Sequence, residues 1–581
     1  MTVTNDEVAS RLEEYADLLD AQGDDHRPRS YRRAAENVRE YPVAVEDLVA
    51  EGEDAVREIE GVGESIAGKV IEYVETGTIQ RLEEAREEMP IDMAAITRVE
   101  GVGPRRAGDF YRELGVTNLD ELEEAARAGE IRQLSGYGEK SEQNVLEGIA
   151  FARQAGERYL LGEAMPVGES IRDNLSASPA VVRCDLGGSL RRWRETIGDV
   201  DVLAAGDDPG AIVDRLVAWE GVDEVIESGP TKTSVRAEGT RVDLRVVAPA
   251  EWGAALQYFT GSKEHNVRLR NRAIARDMKV NEYGVFDVSG VDPDEDEPRA
   301  GERVAGETEE DVYAALDLEW MAPELREDHG EIDAAANGEL PDLLDVDDVR
   351  GDLHVHTTWS DGHNSIEEMV AGAAAFGHDY VAISDHARGP GVVSGMGLDD
   401  DDLLTQVDAV REVAAGAEID VFAGVEANVD VDGEVSVADE VLSDLDFVIA
   451  SPHSGLDGDG TDRLIAAIEH PHVDAIGHPS GRLLNKRAGM DVDVEALATA
   501  AADQGVALEV NANPHRLDLW GGAVRTAIEA GAKLVIDTDA HSPEGYAMIR
   551  YGVHTARRGW AEAADVINTR DADGLRAFLD G

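Results

Sequence analysis

The chain has 581 residues, with 122 Asp and Glu against 53 Lys and Arg and a formal net charge of −69. Hydrophobic residues make up 42% of it, enough to build cores across about four domains of ~150 residues, which excludes wholesale disorder. One cysteine, Cys184, excludes an intramolecular disulfide and a multi-thiolate metal site. No apolar run reaches the ~18 residues of a membrane span, and the N-terminus has no basic-then-apolar leader. A soluble, monomeric, cytoplasmic protein is expected. Only 7 of the basic residues are lysine, and the acidic residues run along the whole chain. A carboxylate-rich, lysine-poor surface fits adaptation to molar salt. Three basic islands oppose the global sign, at residues 26–39 (+4), 181–194 (+3) and 262–279 (+4), and mark polyanion contacts.

The first ~150 residues read as short amphipathic helices. An apolar-x-Gly-apolar-Gly pattern recurs at Ile59–Gly63, Val99–Gly103 and Leu134–Gly138. Gly61, Gly63, Gly101, Gly103, Gly136 and Gly138 allow tight turns, each followed by a helix whose free N–H groups can hold a phosphate. Three copies resemble helix-hairpin-helix motifs, which grip a DNA backbone without reading sequence. Arg105 and Arg106 beside the second turn are candidate DNA contacts. Residues 1–88 and 89–160 are expected to be two such helical domains.

Residues 161–250 change to strand periodicity, with VDVLAA (200–205) and TRVDLRVVAP (240–249) alternating in period two. Asp199 and Asp201 follow the small-residue turn Gly187-Gly188-Ser189, and Asp243 lies on the second strand. Carboxylates converging on one sheet face need cations between them, and two Mg²⁺ or Mn²⁺ ions suit oxygen ligands and phosphoryl chemistry. Gly188, Ser189 and Arg192 would then hold a triphosphate. Residues 251–325 return to helix with a short β section near 279–288. Residues 326–348 end a stretch rich in Asp, Glu, Gly and Pro, expected to be a linker.

At these residues the chain resembles the family X DNA polymerases, over residues ~5 to ~325. The likeness implies that Asp199, Asp201 and Asp243 hold metal, and that Asp243 also takes the primer 3′-hydroxyl proton. In YFTGSKEHNVRLR (258–270), Tyr258, Phe259, Gly261 and Asn266 would form the nucleotide loop. HRPRSYRRAA resembles that family's 5′-phosphate pocket, with Arg27 and Tyr31 as candidates. Lys69, alone among lysines before Lys140, falls where the family's lyase domain carries its Schiff-base lysine.

From residue 349 to 581, β segments alternate with Ala-rich helices in an α/β barrel pattern. Of 15 histidines, 12 lie between His354 and His554. His354, His356, Asp361, His386, Glu426, His453, His478, Asp539 and His541 stand at or beyond predicted strand ends, the rim where barrel sites form. Imidazole with carboxylate points to two or three Zn²⁺, Mn²⁺ or Fe²⁺ ions. Asn511 and Asn513 are candidates for orienting ligands. HVH, SDH, GHP and DAH in this order resemble the PHP (polymerase and histidinol phosphatase) family.

The resemblances imply a multidomain protein: α-helical lyase-like and helix-hairpin-helix domains, an α+β nucleotidyltransferase palm with thumb, and a distorted α/β PHP barrel. This arrangement occurs in bacteria and archaea, and the composition points to a haloarchaeal source. Its implied work is base excision repair: dNTP addition in short DNA gaps, with metal-dependent 3′–5′ exonuclease action. Two other readings fit the residues. The PHP domain could be a small-molecule phosphoesterase, or the chain a DNA-binding scaffold with an inactive polymerase.

Overall fold

Short helices broken by glycine turns bury their apolar stripes only by packing on one another, and the N-terminal residues do so. The computed structural model describes residues 5–579 apart from 25, 40, 42–44, 58, 60, 98, 100, 101, 135, 157, 292–296 and 393–396. Two compact units divide at Glu157 and Arg158, the loop 485–488 aside. In the first, helices Asn5–Ala21, Arg27–Arg39, Glu64–Thr76 and Pro104–Leu114 surround a core that includes Leu12, Leu18, Ile59, Val62, Ile96 and Phe110. A Cβ on Gly108 would run into the carbonyl of Ala21, so the glycine permits this helix contact.

The three glycine repeats close with the same backbone hydrogen bond. Val62 N–H donates to Ile59 (3.1 Å), Val102 N–H to Val99 (2.8 Å) and Tyr137 N–H to Leu134 (3.2 Å). Gly61 and Gly136 take φ of +73° and +91°, the left-handed conformation a side chain resists. Gly63 and Gly103 then cap the next helix. Gly101 lies outside the described residues.

The second unit begins with a five-stranded sheet in the order Arg183–Leu186, Val200–Ala205, Thr240–Val247, Lys232–Ala237, Val222–Ser228. Helices Leu161–Ser176 and Pro209–Val217 contribute to its core. A three-stranded antiparallel sheet, Met278–Asn281, Gly284–Asp287 and Glu302–Ala305, follows with helices Trp252–Thr260 and Lys263–Ile274. The expected β section near 279–288 is thus a hairpin.

Residues 326–348, expected as a linker, form a packed strap. Arg326 is fully buried, with Nη1 on Glu309 and Nε on the Met321 carbonyl (2.9 Å). Helix Glu331–Asn337 buries Ile332 and Ala335, and Leu344 enters the C-terminal core. Buried pairing of charges distant in sequence overrides the hydrophilic composition.

Seven parallel strands then follow in sequence order: Gly351–Asp352, Tyr380–Ile383, Asp420–Val429, Phe447–Pro452, Ala475–Ile476, Ala507–Asn511 and Lys533–Asp537. A parallel bridge between Val355 and Ala540 nearly closes the barrel. Strands buried along most of their length with helices outside them are what a parallel sheet requires.

Candidate functional site

Palm carboxylates come first. Strands Val200–Ala205 and Thr240–Val247 are parallel, with Asp201 directly paired to Asp243. Val200, Val202, Val242 and Leu244 fill the core, so alternation puts both carboxylates on the other face. Burial pushes Asp201 up to about 7, and the charges of Asp199 and Asp243 push it the same way. Arg241 Nη2 lies 3.3 Å from Asp243 Oδ2, while Asp243 Oδ1 is buried without a hydrogen-bond partner. A hard divalent cation fits this crowded, under-neutralised set.

Gly188 has φ +57°, and a Cβ there would collide with the Asp201 carboxylate. Gly187 N–H donates to the Asp201 carbonyl (2.8 Å), fastening the turn to the strand. Ser189 is half-buried one residue on. Arg192 is already engaged: Nε meets Glu327 Oε1 at 2.8 Å and Nη1 donates to the Thr260 carbonyl at 2.7 Å. Asn266 supports the loop backbone. Its amide donates to the carbonyls of Tyr258 (2.8 Å) and Gly261 (3.1 Å) and accepts from Gln257 Nε2 (2.9 Å). Tyr258 and Phe259 meet edge to face at 5.2 Å.

In the N-terminal unit, Lys69 Nζ donates to the Ser65 carbonyl (3.0 Å) and lies 5.3 Å from the Tyr31 ring and 5.8 Å from the Tyr15 ring. Tyr31 is buried and edge-on to Tyr15. Arg27 is exposed and pairs with Asp24 at 2.6 Å. Arg105 and Arg106 are exposed, and Arg106 lies 5.6 Å from the Tyr137 ring.

All nine barrel residues singled out in the sequence meet at the C-terminal strand ends. Glu426 is the hub: imidazole nitrogens of His386 (2.6 Å), His478 (2.9 Å), His453 (3.2 Å), His354 (3.4 Å) and His356 (3.7 Å) surround it. Asp361 lies 3.2 Å from His386 and 3.5 Å from His541, and Asp539 lies 3.2 Å from His356. Three overlapping sets can each hold an ion: His356, Asp361, His386 and His541; His354, His356 and Glu426; His386, Glu426 and His453.

Donor chemistry supports that fit. His354 Nε2, both ring nitrogens of His356, His386 Nδ1, His453 Nε2 and Glu426 Oε2 are buried without a hydrogen-bond partner. So many orphaned polar atoms at one point are costly unless a cation joins them. Burial, then the neighbouring His541 and His386, lowers His356 to about 4, leaving a neutral ring suited to ligation. His478 (φ +27°) and Asp539 (φ +55°) hold unusual backbone conformations at the same rim.

Four supporting residues escaped the sequence reading. Glu509 Oε1 lies 2.7 Å from His354 Nδ1, and its other oxygen accepts from the His478 backbone. Asn428 Oδ1 lies 2.7 Å from His453 Nδ1. Asp385 accepts from Thr357 and Ser360, fixing the turn after His356. Arg516 Nε lies 3.5 Å from Asp539 Oδ2. The available signal was a charged residue inside an apolar strand, as Glu509 is in ALEVN. Asn511 joins Glu509 and Asp539 (3.3 Å each), whereas Asn513 caps its own loop by accepting from His515 N–H (3.0 Å).

Comparison with known proteins agrees with this layout. Family models match as a helix-hairpin-helix domain (residues 3–79), a SAM-like helix-hairpin-helix tandem (93–150), a DNA polymerase beta thumb (255–327) and a PHP domain (352–513). The DNA polymerase/3′-5′ exonuclease PolX of Bacillus subtilis is 33% identical over 581 residues, covering 99% of each chain. DNA polymerase lambda of Rattus norvegicus is 25% identical over 55% of this chain and 56% of its own. A probable phosphatase of Caldicellulosiruptor bescii is 36% identical over 169 residues, 28% of this chain and 64% of its own.

Proposed function

The chain belongs to the family X DNA polymerases that carry a C-terminal PHP domain, and from that premise we propose a DNA repair polymerase with its own 3′–5′ exonuclease. The carrying observation is that one chain, similar to PolX end to end, holds two distinct under-neutralised centres. One is all-carboxylate, at Asp199, Asp201 and Asp243. The other is imidazole-rich, around Glu426.

In the palm, Asp199, Asp201 and Asp243 would hold Mg²⁺ or Mn²⁺, which supply Lewis-acid stabilisation of phosphoryl charge. Asp243 Oδ1, buried and unpartnered, is the base for the primer 3′-hydroxyl. The Gly188 N–H and Ser189 hydroxyl donate to the incoming dNTP phosphates, and Asn266 shapes the loop that receives the sugar. In the barrel, the nine His, Asp and Glu residues would hold two or three Zn²⁺, Mn²⁺ or Fe²⁺ ions, giving the same kind of stabilisation to a terminal phosphodiester. Glu509, Asn428 and Asn511 fix the ligands' orientation.

The glycine turns, Arg27, Arg105 and Arg106 contact the DNA backbone. The substrate is a short gap of the kind left in base excision repair, handled by a monomer in a salt-rich cytoplasm. Lys69, facing Tyr15 and Tyr31, is the candidate nucleophile for an abasic deoxyribose, and borohydride trapping of a DNA adduct tests it.

A labelled primer on gapped DNA in KCl with Mn²⁺ tests the main reading. Wild type lengthens the primer with dNTPs and shortens it without them. Asp243→Asn abolishes lengthening, and His356→Ala abolishes shortening. Loss of both activities in both variants refutes separable sites. The likeness to probable phosphatases favours one alternative, a phosphomonoesterase barrel. Faster hydrolysis of small phosphomonoesters than of DNA ends would establish it.

A further inference from the structure

The loop 513–519 touches both catalytic halves of the second unit. On one side it carries Arg516, whose Nε lies 3.5 Å from Asp539 Oδ2. The side chain is 19% exposed, at the rim of the imidazole cluster. Its Nη nitrogens donate to no protein atom among the described residues. On the other side the loop enters the palm. Leu517 is fully buried in the palm's own apolar cluster, with Leu161, Leu186 and Val200. A Cβ on Gly162, in palm helix Leu161–Ser176, would lie 2.5 Å from Pro514 Cβ.

The loop between these anchors is held firmly. Arg482 donates through Nε to the Arg516 carbonyl (2.8 Å) and through Nη2 to the Leu517 carbonyl. Leu484 N–H donates to the His515 carbonyl (2.7 Å), and Arg516 N–H to the Asn513 carbonyl (2.8 Å). Leu517 itself takes φ +46°, a conformation leucine adopts only when packing compels it.

We propose that Arg516 binds the phosphate at the DNA 3′ end in the PHP site, and that the palm sets its reach through Pro514 and Leu517. A partly exposed guanidinium beside one carboxylate, with no protein hydrogen bond from its Nη nitrogens among the described residues, matches the non-bridging oxygens of a phosphodiester. The barrel's substrate arm is therefore completed by the polymerase half: Arg516 is a binding residue, and Gly162, Pro514 and Leu517 are positioning residues. The proposal rests on reading the imidazole cluster as a 3′-phosphodiesterase.

The test uses the full-length protein loaded with Mn²⁺ and a labelled single-stranded oligonucleotide, with bound metal measured on the same samples. Arg516→Ala should lower kcat/KM for 3′ nucleotide release about 10- to 100-fold with metal content unchanged. Gly162→Ala, a palm substitution outside the PHP domain, should lower it about 10-fold by displacing Pro514. In the Arg516→Ala background, Gly162→Ala should add nothing. Leu517→Ala removes the loop's other palm anchor, in the apolar cluster with Leu161 and Leu186, and replaces Gly162→Ala should that variant fail to fold.

Undiminished nucleotide release by Gly162→Ala, or an equal loss with and without Arg516, overturns the proposal while leaving the exonuclease standing. Loss of metal from Arg516→Ala also overturns it, because the side chain would then act only through Asp539. Wild type that releases no nucleotide sinks the phosphodiesterase reading, and this proposal with it.

Discussion

Glu509 stands one hydrogen bond behind the imidazole cluster, 2.7 Å from His354 Nδ1 and fully buried. A carboxylate there fixes the ring's tautomer and raises its basicity as a ligand. Glu509→Gln should therefore cost about 10- to 100-fold in metal affinity or 3′-end hydrolysis, with polymerisation as the internal control. Metal titration followed by the exonuclease assay measures it, and wild-type affinity in the variant would rule this support out. At this scale the barrel's strand-end histidines were legible from their neighbours: each follows a short apolar run, and such runs end at a rim. Glu509 and Arg516 were not legible, because their importance lies in partners 155 and 23 residues away.

Elements meet most closely where glycine removes a side chain. The short helix Gly188–Arg191 lies against strand Val200–Ala205 because Gly188 leaves room for the Asp201 carboxylate. Gly188→Ala should displace that carboxylate and lower primer extension about 100-fold, since misplacement near 1 Å is enough for such a loss. Steady-state extension kinetics check it, and a variant within a few-fold of wild type would mean the turn adapts freely. In the N-terminal unit, Gly108→Ala should destabilise by about 1–3 kcal/mol through the clash with Ala21, read as a lower midpoint in thermal unfolding. The glycine repeats were legible as turns because apolar-x-Gly-apolar-Gly dictates a local hydrogen bond. The strap after Arg326 was not, because its acidic composition resembles solvated chain.

Charge governs the whole molecule. A net charge of −69 repels itself, and screening shortens its range from ~10 Å at 0.1 M salt to ~3 Å at 1 M. The thermal midpoint should therefore rise with KCl over that range, and a flat response would show that self-repulsion does not limit stability.

Buried carboxylates add a pH dependence. Burial alone would raise Glu195, but Arg558 foremost, with Arg482 and Arg194, brings it from 4.5 down to about 2. Burial likewise opposes Glu309, and Arg326 and Arg191 bring it to about 2. A lowered folded-state pKa gives stability that is full above the ordinary value and drains away as pH falls towards the folded one. Each shift is worth on the order of 3 kcal/mol. Wild type should lose stability steeply from about pH 5 to about pH 2, and Glu195→Gln should start lower and fall less over that window. Parallel melting curves for the two proteins would refute the assignment.

The sequence by itself determined the local chemistry. Alternation put Asp201 and Asp243 on one face, glycine spacing made three like turns, and apolar runs ended in histidine. Only the tertiary structure decided which distant groups meet. Arg558 and Arg482 reach Glu195, Leu517 enters the palm core, and Glu509 supports His354. Periodicity reports which way a side chain faces, but partners across hundreds of residues are chosen by packing, which no local pattern records.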